Sequence, residues 1–317
     1  MLNKTEVLNE SALVREAITV HMGQHPHDLI HVPSYPDTIV YKARLDHSWV
    51  VFKATDPSGS DPSAIGAEAW ACTQARAIGV PVPQVFAVDT THALFPASFF
   101  IMEHAQGQSQ RVLHLPLEQQ RPFLRQVGRY LRLLHTIKLD GYGWLDEHHY
   151  LHTQHVRGHA ITWRQALLPP IASSLAYLER HANVTTDITD RVRHIISTSD
   201  EQLNGTVESC LLHGDIGDVH MWFDMDRQMV TAIIDFGERS AGDPIWDIAA
   251  YDDWHGISYL LEGYEPDNRT QATFEPKYWL YNVLRAVPWA RKWHARGAIH
   301  TVEVFKKIVQ VASERLS

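Results

Sequence analysis

LLHGDIGDVHMWFDMDRQMVTAIIDFGERSAGDPIWD, residues 211–247, decides how this chain reads. Two apolar runs, 219–223 and 230–234, flank the polar turn 224–228, which predicts a β-hairpin. His213-Gly214-Asp215 precedes it and Asp235-Phe236-Gly237 comes after it. A hairpin returns its ends to one place, so Asp215, His220 and Asp235 are expected at one mouth. Carboxylates facing an imidazole suit metal-assisted phosphoryl transfer. One Asp accepts the proton of the attacking hydroxyl, while the others hold the ions that neutralise phosphate charge.

Upstream, an amphipathic helix is expected over 5–21, then strands over 28–32, 38–45 and 48–54. Alternation in the last puts Trp49, Val51 and Lys53 on one face and Val50, Phe52 and Ala54 on the other. A lysine beside two apolar neighbours needs a partner. Asp61 and Pro62 can start a helix that runs to about Ile78. Its residues Ile65, Glu68 and Cys72 recur at i, i+3 and i+7, which puts Glu68 on the apolar stripe as that partner. The alternative is a snorkelling lysine and an ordinary solvated glutamate.

Further strands are expected over 84–88 and 98–102, joined to the remainder of the chain by Glu103-His104-Ala105-Gln106-Gly107. From Glu118 onward the pattern is helical, with a long helix ending near His135 and others over 162–180, 186–198, 245–254, 276–294 and 299–316. Strands first and helices after predict an α+β protein of two lobes with a cleft between.

His-Gly-Asp, a hairpin, Asp-Phe-Gly and the downstream Gly242-Asp243-Pro244 together resemble the catalytic core of the aminoglycoside phosphotransferase family, kinases of small molecules with a protein-kinase-like fold. The resemblance spans about residues 30–290. It implies an antiparallel nucleotide-binding lobe over 1–103, a hinge over 104–108 and a helical lobe over 109–317 carrying the catalytic loop and acceptor site. It implies Asp215 as the catalytic base, with His220 and Asp235 as ligands of Mg²⁺ or Mn²⁺. Lys53, held by Glu68, would contact the phosphates of ATP or GTP. Met102 takes the gate position, with the Glu103 carbonyl and Ala105 amide on the base edge and Ser34 in the phosphate-covering turn. His213 and Asp247 read as structural support, Asp247 bracing the His-Gly-Asp loop through main-chain bonds. Glu238, Asp252, Asp253 and Glu262 are the expected anchors for a cationic, hydroxylated acceptor, an aminoglycoside first of all.

The chain departs from the family pattern twice. Family members carry Asn where this chain has His220, a poorer ligand for a hard ion such as Mg²⁺, although branches acting on the 2″-hydroxyl resemble it in having His there. The turn 33–38 holds no glycine, which limits the approach of main-chain amides to phosphates. No G-x-G-x-x-G or P-loop pattern occurs. The run 147–155 is rich in histidine, and His148 and His152 lie four apart, but no H-E-x-x-H accompanies them; a solvated loop without a dedicated metal is expected.

A net charge of −9, from 37 acidic against 28 basic side chains, argues against a nucleic-acid partner and suits a cationic small molecule. No apolar run reaches membrane-spanning length. The start of the sequence lacks a signal-like apolar core, and two cysteines build no disulfide framework, so a reducing cytoplasm is expected. Other acceptors share such a core: macrolides, peptide antibiotics, choline-like compounds, homoserine and sugar amines. A nucleotide-binding pseudoenzyme and a non-enzymatic interaction module are the remaining alternatives.

Overall fold

The structure, a computed structural model, describes residues 4–33, 38–55, 64–145, 155–204, 208–251 and 254–316. These form two units. The first holds the described residues of Met1–Leu115, Asp146–Val156 and Asp218–Gly237, and the second those of Pro116–Leu145, Arg157–Gly217 and Glu238–Ser317.

The first unit is built on five antiparallel strands, β1 (Asp28–His31), β2 (Thr38–Arg44), β3 (Trp49–Thr55), β4 (Val85–Asp89) and β5 (Phe99–Glu103), in the order β1-β2-β3-β5-β4. Strand alternation gives the sheet two different faces. On one, Val50, Phe52 and Ala54 of β3 pack with Val14, Ala17 and Ile18 of helix α1 (Lys4–Met22). Phe52 stacks on Phe99 there, with ring centroids 4.8 Å apart. Each such large side chain contributes about 2–3 kcal/mol by leaving water. On the other, Phe100 packs with Ile65 and Ala69 of α2 (Ala64–Ala77), flanked by Val85 and Met102. Asp61 and Pro62, the expected start of α2, lie outside the described residues.

The hairpin predicted from the motif is present as strands Met221–Asp224 and Met229–Ile233. Asp224 makes its turn, since Oδ1 accepts the main-chain N–H groups of Asp226 and Arg227 at 3.0 Å each. The two-residue strand Gln108–Ser109 pairs along the outer side, with Trp222 opposite Ser109. That pairing places the hairpin with the first unit, although 109–317 was expected to form one lobe.

The second unit is mainly helical. Helix Leu117–Leu134 buries Phe123, Leu124, Val127, Leu131 and Leu134 along one stripe. It crosses helix Trp254–Tyr264 closely, because the crossing is lined by glycine on both sides. A Cβ on Gly128 would overlap the Leu260 carbonyl oxygen, and one on Gly263 would overlap that of Arg125.

Three helix expectations change. The segment 162–180 is broken into Trp163–Leu167 and Pro169–His181, because Pro169 and Pro170 supply no N–H to continue the first helix. Thr162 starts that first piece: Oγ1 accepts the Gln165 N–H at 3.2 Å, and Gln165 Oε1 accepts the Thr162 N–H at 3.2 Å. The segment 245–254 gives only the short helix Ile245–Ile248, and Trp254 begins a separate one. Helix Asn268–Ala295 is longer than expected and starts at Asp267, whose carboxylate accepts the Thr270 N–H at 2.7 Å. Helices Thr186–Thr198 and His300–Arg315 agree with their expected ranges to within a residue.

Four short strands, in the order Gly158–Ala160, Tyr142–Leu145, Ser240–Gly242, Cys210–Leu212, form a small sheet that the sequence did not announce. Cys210–Leu212 leads into the His-Gly-Asp loop, and Ser240–Gly242 comes after the Asp-Phe-Gly turn. The fold is thus mixed α+β, with an antiparallel sheet first and helices after. Among the described residues no helix is long and apolar enough to cross a membrane. Cys72 and Cys210 are buried thiols.

Candidate active site

In the first unit, β3 and the hairpin bring three charged groups together. Lys53 Nζ donates to Glu68 Oε1 and to Asp235 Oδ1, both at 2.7 Å. Alternation along β3 turns Lys53 toward α2, and the apolar stripe of α2 carries Glu68 to meet it. Both side chains are buried, whereas Asp235 is 39% exposed. Burial disfavours the ammonium, but the Asp235 and Glu68 carboxylates outweigh it and raise the Lys53 pKa. Lys53 is therefore charged at any physiological pH.

Asp235 has φ +67°, in the left-handed region that non-glycine residues seldom enter. Its Oδ1 accepts the Gly237 N–H at 3.2 Å, a local bond that offsets part of the strain. Its Oδ2 lies 3.6 Å from His220 Nε2. A carboxylate oxygen and an imidazole nitrogen this close could share a divalent ion. Among the described residues no three His, Cys, Asp or Glu side chains gather as a ligand set; an ion held by two protein groups would take its remaining ligands from phosphate and water oxygens. Mg²⁺ is usually bound in that way.

In the second unit, the His-Gly-Asp loop is suspended from Asp247. This carboxylate is fully buried and accepts the N–H of His213 at 2.8 Å and of Gly214 at 2.7 Å. Behind it, His135 Nε2 lies 3.2 Å from Asp247 Oδ2, and His135 Nδ1 lies 2.9 Å from the Tyr264 hydroxyl. Burial would raise the Asp247 pKa, but the hydrogen bond with His135, the electrostatic influence of the His135 and His213 rings and the Gly214 amide outweigh it and hold the pKa below the ordinary carboxylate value. Gly214 has φ +87°, and a Cβ there would overlap the Glu238 carbonyl oxygen. Only glycine fits that turn. His213 is buried, and its Nδ1 accepts the Asp215 N–H at 3.2 Å. The Asp215 carboxylate is half exposed at 49%.

The other expected positions sit at the edges of these elements or away from them. Met102 and Glu103 end β5, and Met102 stands opposite Val51 and Val85 in the sheet. The Glu103 N–H donates to the Gln84 carbonyl at 2.8 Å, and its carboxylate lies 3.5 Å from Arg76. Ala105 lies in the irregular segment before Gly107. Glu238 lies 3.9 Å from Lys292. Glu262 is engaged by Arg121 at 3.0 Å and Arg125 at 3.4 Å, an arrangement that braces the helix crossing. Ser34, Asp252, Asp253 and the histidine-rich run at His148 and His152 lie outside the described residues.

A family model described as the phosphotransferase enzyme family matches residues 39–258, more than half of the chain and the whole of the motif. The chain belongs to the phosphotransferase enzyme family.

Solved structures similar to this phosphotransferase include a thermostable mutant of aminoglycoside phosphotransferase APH(4)-Ia in a ternary complex with AMP-PNP and hygromycin B. Their TM-score is 0.70 at 16% identity, covering 95% of this chain and 98% of that one. The gentamicin complex of APH(2")-IIa matches with a TM-score of 0.66 at 16% identity, covering 100% and 99%. A Thermobifida fusca protein named a candidate fructosamine-3-kinase matches with a TM-score of 0.65 at 15% identity, covering 95% and 98%. Among curated proteins none matches the chain.

This phosphotransferase also places residues at the motif that its sequence did not single out. His135 and Tyr264 back Asp247, and Arg285 from helix Asn268–Ala295 reaches the Gly214 carbonyl. His135 sits just past the last turn of its helix, where a basic residue is ordinary, and nothing in the sequence names its partner.

Proposed function

We propose that the chain is a kinase of small molecules, moving the γ-phosphate of ATP or GTP to a hydroxyl group. The observation that carries this reading is the Lys53 ammonium shared between Glu68 and Asp235, with His220 beside the same carboxylate. A buried lysine held between a helix and the Asp-Phe-Gly turn has a clear use as a clamp for nucleotide phosphates.

In the proposed reaction the acceptor oxygen bonds to the γ-phosphorus as the bond from that phosphorus to the β,γ-bridging oxygen breaks. Asp215 takes the hydroxyl proton, and ADP or GDP leaves with the bonding pair. Lys53 holds the phosphates, while Met102, the Glu103 carbonyl and the Ala105 amide seat the base, with Ser34 over the phosphates. Asp235 and His220 would hold Mg²⁺ or Mn²⁺, which supplies neutralising charge to phosphate oxygens. His213 and Asp247 keep the Asp215 loop in place.

For the acceptor we propose a hydroxylated amine of the aminoglycoside type, anchored by Glu238, Asp252, Asp253 and Glu262 and met in the cytoplasm. Hygromycin B and gentamicin in the structural relatives support that class. One observation favours a less cationic acceptor: Glu238 and Glu262 already stand beside Lys292, Arg121 and Arg125. The test is ADP release with Mg²⁺ or Mn²⁺ over a panel of aminoglycosides, macrolides, peptide antibiotics, choline, homoserine and fructosamines. Acceptor-dependent turnover lost in Asp215→Asn supports the kinase. Nucleotide binding without turnover, with any acceptor, points instead to a pseudoenzyme.

A further inference from the structure

Gly214, the residue before Asp215, is held from two sides. Asp247 takes the Gly214 N–H, and Arg285 Nη1 donates to the Gly214 carbonyl at 2.9 Å. The other arm of the same guanidinium, Nη2, lies 3.9 Å from Asp215 Oδ1. That is too long for a hydrogen bond but close enough for charge to orient the carboxylate. The guanidinium rests over the Trp246 ring, 5.1 Å from its centroid, and its side chain is 22% exposed. Trp246 lies next to Asp247 in the chain, so one short helix carries both the brace of the loop and the seat of the arginine.

We infer that Arg285 is a positioning residue for the Asp215 base. The inference rests on the reading of Asp215 as base. One planar group fixes the Gly214 carbonyl and turns the Asp215 carboxylate, and the aromatic ring fixes the plane of the group itself. Lysine cannot replace it, because a single ammonium can serve the carbonyl or the carboxylate but has no fork to serve both. Asp247 anchors the loop through its N–H groups. Arg285 anchors the carbonyl of the next peptide, the one that joins Gly214 to Asp215, and so governs the direction of the acid rather than the presence of the loop.

The experiment measures ADP release from Mg·ATP, with water as the acceptor, in wild type, Arg285→Ala, Arg285→Lys, Asp215→Asn and the Arg285→Ala/Asp215→Asn double variant. Arg285→Ala should lower kcat by about 10- to 100-fold, the range for a group that orients a general base, with the KM for ATP unchanged. Added guanidinium at millimolar concentration should restore part of that kcat. In the Asp215→Asn background the same substitution should cost almost nothing, since it acts through the base. Arg285→Lys keeps a donor for the Gly214 carbonyl and so protects folding; it should melt like wild type and still lose kcat. Wild-type kcat in Arg285→Lys, a rise in KM equal to the fall in kcat/KM, or losses that multiply in the double variant would each overturn the inference. An Asp215→Asn enzyme with full turnover, or a wild type that releases no ADP, sinks the base reading and the role of Arg285 together.

Discussion

Lys53 and Asp235 stand 182 positions apart in the chain, and their side chains meet at 2.7 Å. One ammonium thereby bridges two carboxylates, and the arrangement has a stability consequence that can be measured. Lys53→Met should destabilise the protein by about 3 kcal/mol, because it leaves buried Glu68 without its cation. Glu68→Ala should cost less, since Asp235 still holds the lysine. Chemical denaturation of both single variants and the double variant should give a double loss smaller than the sum. A strictly additive result would mean that the two side chains are not coupled.

Asp215→Asn should reduce kcat by about 10²–10⁴ while ATP affinity stays within about twofold, because a positioned base acts in the transition state and not on bound nucleotide. Equilibrium nucleotide titration beside steady-state kinetics checks both halves. Unchanged turnover would remove Asp215 from the base role.

His220→Asn replaces a nitrogen donor with an amide oxygen, which a hard ion prefers. The half-saturating Mg²⁺ concentration should fall a few-fold, while that for Mn²⁺ moves little. Identical metal titrations for the two proteins would show that His220 is no ligand.

Asp247 gives a pH prediction. Its pKa in the folded protein lies below the ordinary value. A depressed carboxylate contributes stability in full above the unfolded-state pKa of about 3.9, and loses it as pH falls through the folded-state value. Stability should therefore be insensitive to this group at neutral pH and should decline in acid. Asp247→Asn should be less stable at neutral pH and should show a shallower decline below about pH 4, the unfolded range of a carboxylate. Acid titrations monitored by circular dichroism test this; parallel curves for the two proteins would refute it.

Much of the first unit was legible because its signals are periodic. Alternation in β3 placed Lys53 opposite the Val50, Phe52 and Ala54 face, and helical spacing placed Glu68 on the same side of the sheet. The hairpin was legible from its two apolar runs and the Asp224 turn. The small sheet of the second unit was not, since strands of three or four residues are too short to show alternation. The break at Pro169 was visible as a residue pair, but apolar spacing ran through it and masked the stop.

The partners of the candidate site were harder to read than its motif. Asp247 is linked to the loop it braces by nearby sequence, whereas Arg285 reaches Gly214 from 71 positions away. No local pattern marks such a contact, since an arginine on a long helix usually faces water. Glu262 is hard to read for the same reason: no local pattern announces that Arg121 and Arg125 of the neighbouring helix engage it.

The crossing at Gly128 and Gly263 bears on how libraries of random variants of this protein would be read. A screen scored by lost activity would return replacements at these two glycines together with those at Asp215. The first kind removes the protein, because a side chain there pushes on main-chain carbonyls that cannot retreat. The second removes the chemistry and leaves the protein. An immunoblot of the soluble fraction separates them: Gly263→Ala should be depleted in the extract, and Asp215→Asn should be as abundant as its parent.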